Sequence, residues 1–314
     1  MEIRKYSASD KRIWDEFVAN TKNATFLHFR NYMDYHADRF ADCSLMAFND
    51  KGKLVAVLPA NRSGDTLHSH QGLTYGGWLT PTRHFNAVTM MGVFDAMMNF
   101  LRQEGIRRLV YKAVPYIYHR YPADEDIYAL FRNGAQITAT NMSSVIVQGN
   151  SLARSDRRVR RTLELAEQKK VKVKPDNDMA AFWKILSDNL REKYNATPVH
   201  TLEEIEQLQA LFPENIRLYM AHIENEPVAG AVVFYSNDVA HVQYSSATPL
   251  GSECGALAFL FNKLITEYCQ NYRYFDFGTS NEDGGRYLNE NLIRMKAGFG
   301  ARGVAFNIYS IDVK

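Results

Sequence analysis

The residues best suited to chemistry lie near the C-terminus, where a predicted buried strand runs into a polar, glycine-rich loop. Residues 274–278 form the strand, Gly278 and Ser280 begin the loop, and a short helical stretch, 287–295, leads to Lys296. Glycine lets a ligand approach the backbone, and α/β proteins commonly bind ligands where strands end in such loops. We therefore predict that Gly278 and Ser280 contact substrate and that Lys296 neutralises a phosphate or a developing oxyanion.

Three side chains on predicted strands are candidates for proton transfer in the same reaction: His241, Tyr244 and Asp276. Such side chains can take a proton from an attacking group while other groups at the site stabilise the negative charge that develops. His241 and Tyr244 are three positions apart, so strict strand alternation places them on opposite faces and at most one faces a ligand. Asp276 alternates with apolar neighbours, which predicts a carboxylate that bonds loop amides. Glu290 is a further candidate.

The segment between the predicted strand 241–247 and a long apolar helix is a candidate phosphate site. Gly251, Ser252, Gly255 and Ala256 occupy this segment, and the free N–H groups at a helix N-terminus favour anions. We predict that these four residues bind the phosphates of a donor molecule. Glu253 opposes this interpretation, and paired glycines before a helix also serve as ordinary caps and turns, so both interpretations stay open.

A second glycine-rich loop, in the first half of the chain, suits one wall of an acceptor cleft between two domains. It contains Tyr75, Gly76 and Gly77, which we predict to contact substrate; a tight turn with a buried tyrosine is the alternative. His68 and His70 precede the loop and point to the same side of a strand. Because no Cys, Asp or Glu lies beside them, the sequence predicts no metal site.

A run of basic residues opens the second half of the chain. It consists of Arg154, Arg157, Arg158, Arg160 and Arg161. Cations at the start of a helix oppose its dipole, so they form either a solvated face or a site for a phosphate-bearing ligand. Under the second interpretation Arg158 and Arg161 bind substrate.

Composition is that of a globular protein, with 46% hydrophobic and 23% charged residues among 314. The net charge of +2 gives no argument for DNA or a membrane surface. Three scattered cysteines indicate a reducing compartment, and no segment is apolar enough for a signal peptide or a membrane span. We expect a cytoplasmic protein without integral membrane association.

The pattern of predicted elements is repeated in the two halves of the chain. Each half contains helices, a hairpin, a strand, a glycine-containing loop, a long helix and a strand, which predicts an α/β (α+β) fold. The least structured join is at residues 148–151. We therefore predict two domains, 1–150 and 151–314, each a mixed, mostly antiparallel sheet flanked by helices.

The C-terminal motif resembles the Fem-type branch of the GNAT acyltransferase superfamily. In that branch a strand ending in Asp-Phe-Gly precedes a Lys and a Phe/Trp-Gly pair, here Asp276-Phe277-Gly278, Lys296 and Phe299-Gly300. Residues 155–166 are similar to the segment that opens the second Fem domain. The resemblance implies two tandem GNAT-like domains, with the donor site in the C-terminal one and acyl-CoA as the donor.

The resemblance implies an N-acyltransferase that acts on an amino sugar or amino acid in cell-envelope or polysaccharide precursor metabolism. The acceptor is a small molecule, free or nucleotide-linked. Two alternatives stay open: an aminoacyl-tRNA-dependent transferase acting on a peptidoglycan precursor, and a non-catalytic GNAT-fold binding module. The absence of a long pair of charged helices in the second domain favours acyl-CoA over tRNA. The oligomeric state is not predicted.

Overall fold

A computed structural model describes residues 1–314, the side chain of Tyr194 excepted. The chain divides into two compact units. The first comprises 1–141, 283–286 and 305–314, and the second comprises 142–282 and 287–304. That the predicted domains, 1–150 and 151–314, are separate folding units stays a prediction.

Strands and α-helices are distributed over both units. The strands are β1 (Glu2–Lys5), β2 (Leu45–Phe48), β3 (Leu54–Leu58), β4 (Asn61–Ser63), β5 (Thr66–His68), β6 (Arg108–Lys112), β7 (Gln136–Val147), β8 (Lys172–Asp176), β9 (Ile216–Ile223), β10 (Glu226–Ser236), β11 (Val239–Ala247), β12 (Tyr274–Thr279), β13 (Asn281–Glu282), β14 (Tyr287–Leu288) and β15 (Arg302–Asp312). The α-helices are α1 (Lys11–Ala19), α2 (Arg30–Met33), α3 (Ala87–Gln103), α4 (Glu125–Arg132), α5 (Arg157–Gln168), α6 (Met179–Tyr194), α7 (Leu202–Leu211), α8 (Pro249–Glu253), α9 (Ala256–Lys263) and α10 (Glu290–Gly298).

The first unit contains an antiparallel sheet, β1-β2-β3, and a second group of strands in the order β4-β5-β6-β15. The β5–β6 pair is parallel, whereas β4–β5 and β6–β15 are antiparallel. Trp78, Phe94 and Tyr111 are fully buried at the centre of this unit. Tyr111 donates a hydrogen bond to Asp126 and accepts one from the Trp78 N–H, so its hydroxyl is satisfied inside the core.

The second unit is built on strands in the order β7-β12-β11-β10-β9-β8. Only the β11–β12 pair is parallel, since β12 returns to the sheet through α8 and α9. Small residues on β10 let helices approach it closely: a Cβ added to Gly230 would lie 2.4 Å from Phe182 Cδ2 on α6. The predicted fold class, mixed sheets flanked by helices, is confirmed.

The last part of α9 changes its hydrogen-bonding pattern. Residues Leu264–Tyr268 form a π-helical turn that continues α9. Such turns are rare and frequently mark functional positions. None of the described helices combines the length and the apolar character needed to cross a bilayer.

Candidate active site

Two neighbouring parallel strands of the second unit separate after three paired positions. Val239, Ala240 and His241 of β11 pair with Tyr274, Phe275 and Asp276 of β12. Beyond His241, β11 continues to Ala247 along β10, while β12 pairs with β7 and shifts register after Asp276. We call this point of separation, at His241 and Asp276, the splay. It opens a gap between two strands inside a sheet, where backbone groups are exposed without a strand partner.

Both strands are irregular at the splay. On β11 the register with β10 shifts between Val232 and Val233, which leaves one extra residue, Gln243, in β11. On β12, Gly278 has a φ of +77°, a conformation that glycine adopts without strain. A Cβ at this position would lie 3.2 Å from His241 Cε1. The glycine therefore allows the strand end to turn close to the histidine ring.

His241 and Asp276 form a hydrogen-bonded pair at the splay. His241 Nδ1 lies 3.0 Å from Asp276 Oδ2, and the Asp276 side chain is completely buried. Asp276 Oδ1 accepts hydrogen bonds from the Gly278 N–H, at 2.8 Å, and from the Ser143 hydroxyl. The prediction that Asp276 bonds a loop amide is thus confirmed.

This arrangement fixes the orientation of the histidine. With Nδ1 directed to the carboxylate, Nε2 is the ring nitrogen left for another partner, and no described residue bonds to it. The His241 side chain is 15% exposed, so the ring is reachable from solvent. A histidine held by a buried carboxylate in this way is suited to general-base chemistry.

Lys296 is buried at the same loop. It lies in the last turn of α10, and its Nζ donates to the carbonyl oxygens of Gly278 at 2.9 Å and Thr279 at 2.8 Å. Burial lowers the pKa of Lys296 to about 8, although the nearby Asp276 opposes the shift. The predicted helix over 287–295, with Lys296 beyond its end, is wrong in its bounds, because α10 runs from Glu290 to Gly298 and packs Lys296 against the loop. The role of Lys296 in neutralising a negative charge stays a prediction.

Tyr244 lies on the same face of β11 as His241, so the prediction of opposite faces is wrong. The extra residue on β11 changes the alternation: His241 pairs with Phe234 and Tyr244 with Val232, two positions on one face of β10. The Tyr244 hydroxyl lies 2.5 Å from His200 Nδ1. Burial raises the pKa of Tyr244 to about 12, so its hydroxyl keeps its proton at neutral pH.

Ser280 follows the lysine-bound carbonyls and is almost completely buried. Its hydroxyl has no hydrogen-bond partner among the described residues. A buried hydroxyl in this condition is uncommon in proteins and is a candidate for contact with a bound molecule. Ser280 thus stays a predicted substrate-binding residue. Glu290, in contrast, is exposed and pairs with Arg294 at 2.6 Å.

The predicted donor loop forms a short helix whose amides are used internally. Thr248 Oγ1 accepts from the Gly251 N–H at 3.0 Å, and the N–H groups of Ser252 and Gly255 bond to carbonyls of the same segment. A Cβ added to Gly251 would lie 2.1 Å from the Val228 carbonyl oxygen. In this conformation the amides of these three residues are not available to a pyrophosphate.

The remaining donor-loop residues are held by the protein as well. Gly255 has a φ of +70°, and a Cβ there would lie 2.6 Å from Thr162 Cγ2 on α5. Ala256 is completely buried in the core beside α9. Phosphate binding by Gly251, Ser252, Gly255 and Ala256 therefore stays a prediction that requires the segment to rearrange.

The loop predicted to wall the acceptor cleft is packed within the first unit. Tyr75 is buried, with its ring centroid 4.5 Å from that of Tyr118. A Cβ on Gly76 would lie 2.3 Å from the Ser69 carbonyl oxygen, and one on Gly77 would lie 2.7 Å from the Tyr111 hydroxyl. These short distances explain why both positions are glycine, since a side chain would collide with the Ser69 backbone or with Tyr111. Contact of this loop with substrate stays a prediction.

The other sequence predictions concern charged residues and metal ligands. Arg158 and Arg161 are exposed on α5, and neither forms an ion pair with a described residue. Among the described residues, no group of three or more His, Cys, Asp or Glu side chains is placed to hold a metal ion.

The structure adds three residues that the sequence analysis did not select. Ser143 of β7 bonds Asp276, His200 bonds Tyr244, and Trp183 of α6 packs its ring edge-on to Tyr244 at 5.1 Å. Only His200 had a sequence signal, since it directly precedes the cap residue of α7. The other two are brought to the splay by long-range packing.

The family comparison agrees with this geometry. Residues 150–287 match the model of a family described as the acetyltransferase (GNAT) domain. No curated protein matches the chain. The splay therefore lies in a segment with the signature of a GNAT domain.

Solved structures give the same fold over the whole length. FemX has a TM-score of 0.69 at 11% identity, covering 99% of this chain and 97% of that chain. L-PGS from Bacillus licheniformis has a TM-score of 0.63 at 11% identity, covering 98% and 93%. A tandem GNAT protein from the clavulanic acid biosynthesis pathway has a TM-score of 0.53 at 11% identity, covering 100% and 98%.

The chain thus has the GNAT fold of acyl-CoA N-acyltransferases. The resemblance to the Fem-type branch, recognised from the C-terminal motif, is confirmed at the level of the fold by the similarity to FemX. At this sequence identity the structural similarity establishes the fold and leaves donor and acceptor to be derived from the site.

Proposed function

We propose that this protein transfers an acyl group to an amine at the splay between β11 and β12. The observation that carries the proposal is the position of the His241–Asp276 pair, at the last residues where the two strands are bonded. A base at this point can meet an acyl group inserted between the separated strands. The match of residues 150–287 to the GNAT family supports the same reaction class.

In the proposed reaction the acceptor nitrogen attacks the acyl carbonyl carbon. His241 Nε2 takes the proton from nitrogen, the bond between the acyl carbon and the leaving sulfur or oxygen breaks, and the imidazolium returns its proton to the leaving atom. Asp276 holds the imidazole and stabilises the imidazolium that forms. Lys296 uses two N–H groups on the carbonyls of Gly278 and Thr279 and keeps a third for the developing oxyanion.

We propose acyl-CoA as the donor and an amino sugar or amino acid, free or nucleotide-linked, as the acceptor. The helices between β8 and β9 favour acyl-CoA over tRNA as the donor. They are only 16 (α6) and 10 (α7) residues long, so they do not form the long pair of charged helices that would favour tRNA. The donor loop, residues 251–256, weighs against acyl-CoA because its amides form internal hydrogen bonds. The CoA phosphates then need another partner or a rearranged loop. A role in cell-envelope precursor metabolism and a cytoplasmic location belong to the same proposal; the three cysteines are free and buried, as expected in a reducing compartment.

The second candidate is aminoacyl-tRNA-dependent transfer. Two observations favour it: the similarity to FemX over nearly the full length of both chains, and the exposed arginines on α5, which suit phosphates. The chemistry at the splay is the same for both donors, because an aminoacyl ester and an acyl thioester present the same carbonyl group to the amine.

The experiment is a product search with two donor arms. One arm supplies acetyl-CoA and longer acyl-CoAs, the other supplies charged tRNA, and both are offered amino sugars, amino acids and their nucleotide-linked forms. Mass spectrometry of the acceptors detects an added acyl group. Acylation in the first arm alone supports our proposal, acylation in the second supports the tRNA candidate, and binding without acylation in either supports the non-catalytic module.

A further inference from the structure

One pocket of the second unit contains no residue of the splay. It has a volume of about 520 Å³ and is bounded by the segment between β7 and α5 and by the end of α9. Its floor is apolar, formed by Ile146, Ile265 and Phe299. No aspartate or glutamate lines it, so the pocket has no negative side chain of its own.

The polar lining consists of amides and hydroxyls with unused bonding capacity. Gln148 Nε2 donates to the Ile265 carbonyl in the π-helical turn at 3.1 Å, and no described residue bonds to Gln148 Oε1. Asn262 is half-buried and forms no side-chain hydrogen bond with a described residue. Amide groups both donate and accept, which matches the hydroxyl groups of a sugar.

One arginine lines this pocket, a second bonds to a lining residue, and neither has a carboxylate partner among the described residues. Arg154 lines it and uses Nε on the Ser151 carbonyl at 2.9 Å, which leaves both terminal nitrogens. Arg160 donates from Nη1 to the carbonyl of Ser155, another lining residue, at 3.2 Å. The nearest acid in sequence, Asp156, caps α5 by accepting from the Val159 N–H at 2.8 Å.

The combination of free guanidinium groups with neutral amides selects a particular ligand chemistry. Arginine forks match the oxygens of a phosphate, whereas the amides match hydroxyl groups at a distance from it. We infer that this pocket binds a phosphorylated sugar, with the phosphate on Arg154 and Arg160 and the sugar hydroxyls on Gln148 and Asn262. This inference does not depend on acyl transfer, because it concerns binding at residues outside the splay.

The test is isothermal titration calorimetry of the full chain with ribose 5-phosphate, with inorganic phosphate and ribose as separate probes. We expect saturable binding of one ribose 5-phosphate per chain. Arg154→Gln and Arg160→Gln should each weaken it roughly tenfold, which is typical of a lost charge-assisted hydrogen bond. Arg157→Gln is the matched control, since Arg157 belongs to the same basic run but neither lines the pocket, as Arg154 does, nor bonds to a lining residue, as Arg160 does.

The sugar part is tested by Asn262→Leu, which should weaken ribose 5-phosphate binding and leave inorganic phosphate binding unchanged. Thermal unfolding checks that each variant folds. If Arg154→Gln does not fold, Arg160→Gln alone tests the phosphate site. Two results would overturn the inference: no saturable binding of ribose 5-phosphate to the wild type, or an equal loss in Arg157→Gln, which would indicate only a general attraction to positive charge.

Discussion

His241 Nδ1 and Asp276 Oδ2 lie 3.0 Å apart on the last paired residues of two parallel strands. The carboxylate is buried and accepts hydrogen bonds from His241, Gly278 and Ser143. The structure thus places a histidine of fixed orientation where the sheet opens. Our account of acyl transfer depends on this relationship.

Asp276→Asn should lower kcat roughly 10- to 100-fold with little change in donor affinity. An asparagine cannot accept from both His241 and the Gly278 N–H, because one of its two atoms is a donor. The asparagine NH2 would then face His241 Nδ1, so either this hydrogen bond is lost, at about 1–3 kcal/mol of unfolding free energy, or the ring carries its proton on Nε2, which then cannot act as a base. Steady-state kinetics and denaturant unfolding measure the two effects. Asp176→Asn, at the other His–Asp contact of this unit, is the control and should leave kcat unchanged.

Lys296→Met should change how stability depends on pH. Burial lowers the folded pKa of Lys296 from its ordinary value of 10.5 to about 8. Between these values the unfolded chain binds more protons, so this lysine makes stability rise with pH by up to about 1.4 kcal/mol per unit. The variant should lose that slope between pH 8 and 9.5 in denaturant unfolding.

Lys112 offers a matched case in the first unit, since burial also lowers its pKa to about 8. Lys112→Met should remove a similar pH dependence of the free energy of unfolding, and the effects of the two substitutions should add. A Lys296→Met protein with the wild-type slope would show that this lysine is not buried in its charged form.

Gly278→Ala should reduce activity more than stability alone would explain. Alanine at a φ of +77° costs roughly 1–2 kcal/mol, and its Cβ would lie 3.2 Å from His241 Cε1, which displaces the ring. Gly105→Ala carries a similar backbone cost at a φ of +68°, but no atom lies within 4 Å of its added Cβ. We expect comparable losses of stability and a loss of roughly tenfold in kcat only for Gly278→Ala. Equal activity in the two variants would argue against contact with His241.

Tyr244→Phe should raise the acceptor KM several-fold, because Tyr244 shares a face of β11 with His241. Tyr235→Phe is the control: it also removes a buried hydroxyl, one that lies 2.8 Å from the Tyr219 hydroxyl, on the opposite face of the sheet. Both variants should lose about 1 kcal/mol of stability. If KM changes equally in both, Tyr244 has only a structural role.

The order of elements around the site could be predicted from the sequence. Glycines, apolar periodicity and the Asp-Phe-Gly strand end predicted β12, its loop and a short helix near Lys296, although that helix begins at Glu290 rather than at 287 and extends past Lys296. These signals are local, and local patterns determine where elements start and end. The predicted fold class is correct for the same reason.

The relations between elements could not be predicted in this way. One extra residue in β11 places His241 and Tyr244 on the same face of the strand, although strict alternation would place them on opposite faces. No residue type in that strand signals the extra residue. The burial of Lys296 depends on the carbonyls of Gly278 and Thr279, 18 and 17 residues earlier, a contact that no local pattern signals. Ser143 reaches Asp276 across 133 residues of chain, a contact that depends on strand order.

The most direct test compares His241→Gln with His222→Gln in the acyl-transfer reaction. Both remove a histidine that contacts an aspartate in the same unit, but His222 lies on β9, away from the splay. We predict a kcat loss of roughly 10²- to 10⁴-fold for His241→Gln, the usual contribution of a general base, and wild-type kcat for His222→Gln. Full activity of a folded His241→Gln protein would contradict the proposed mechanism.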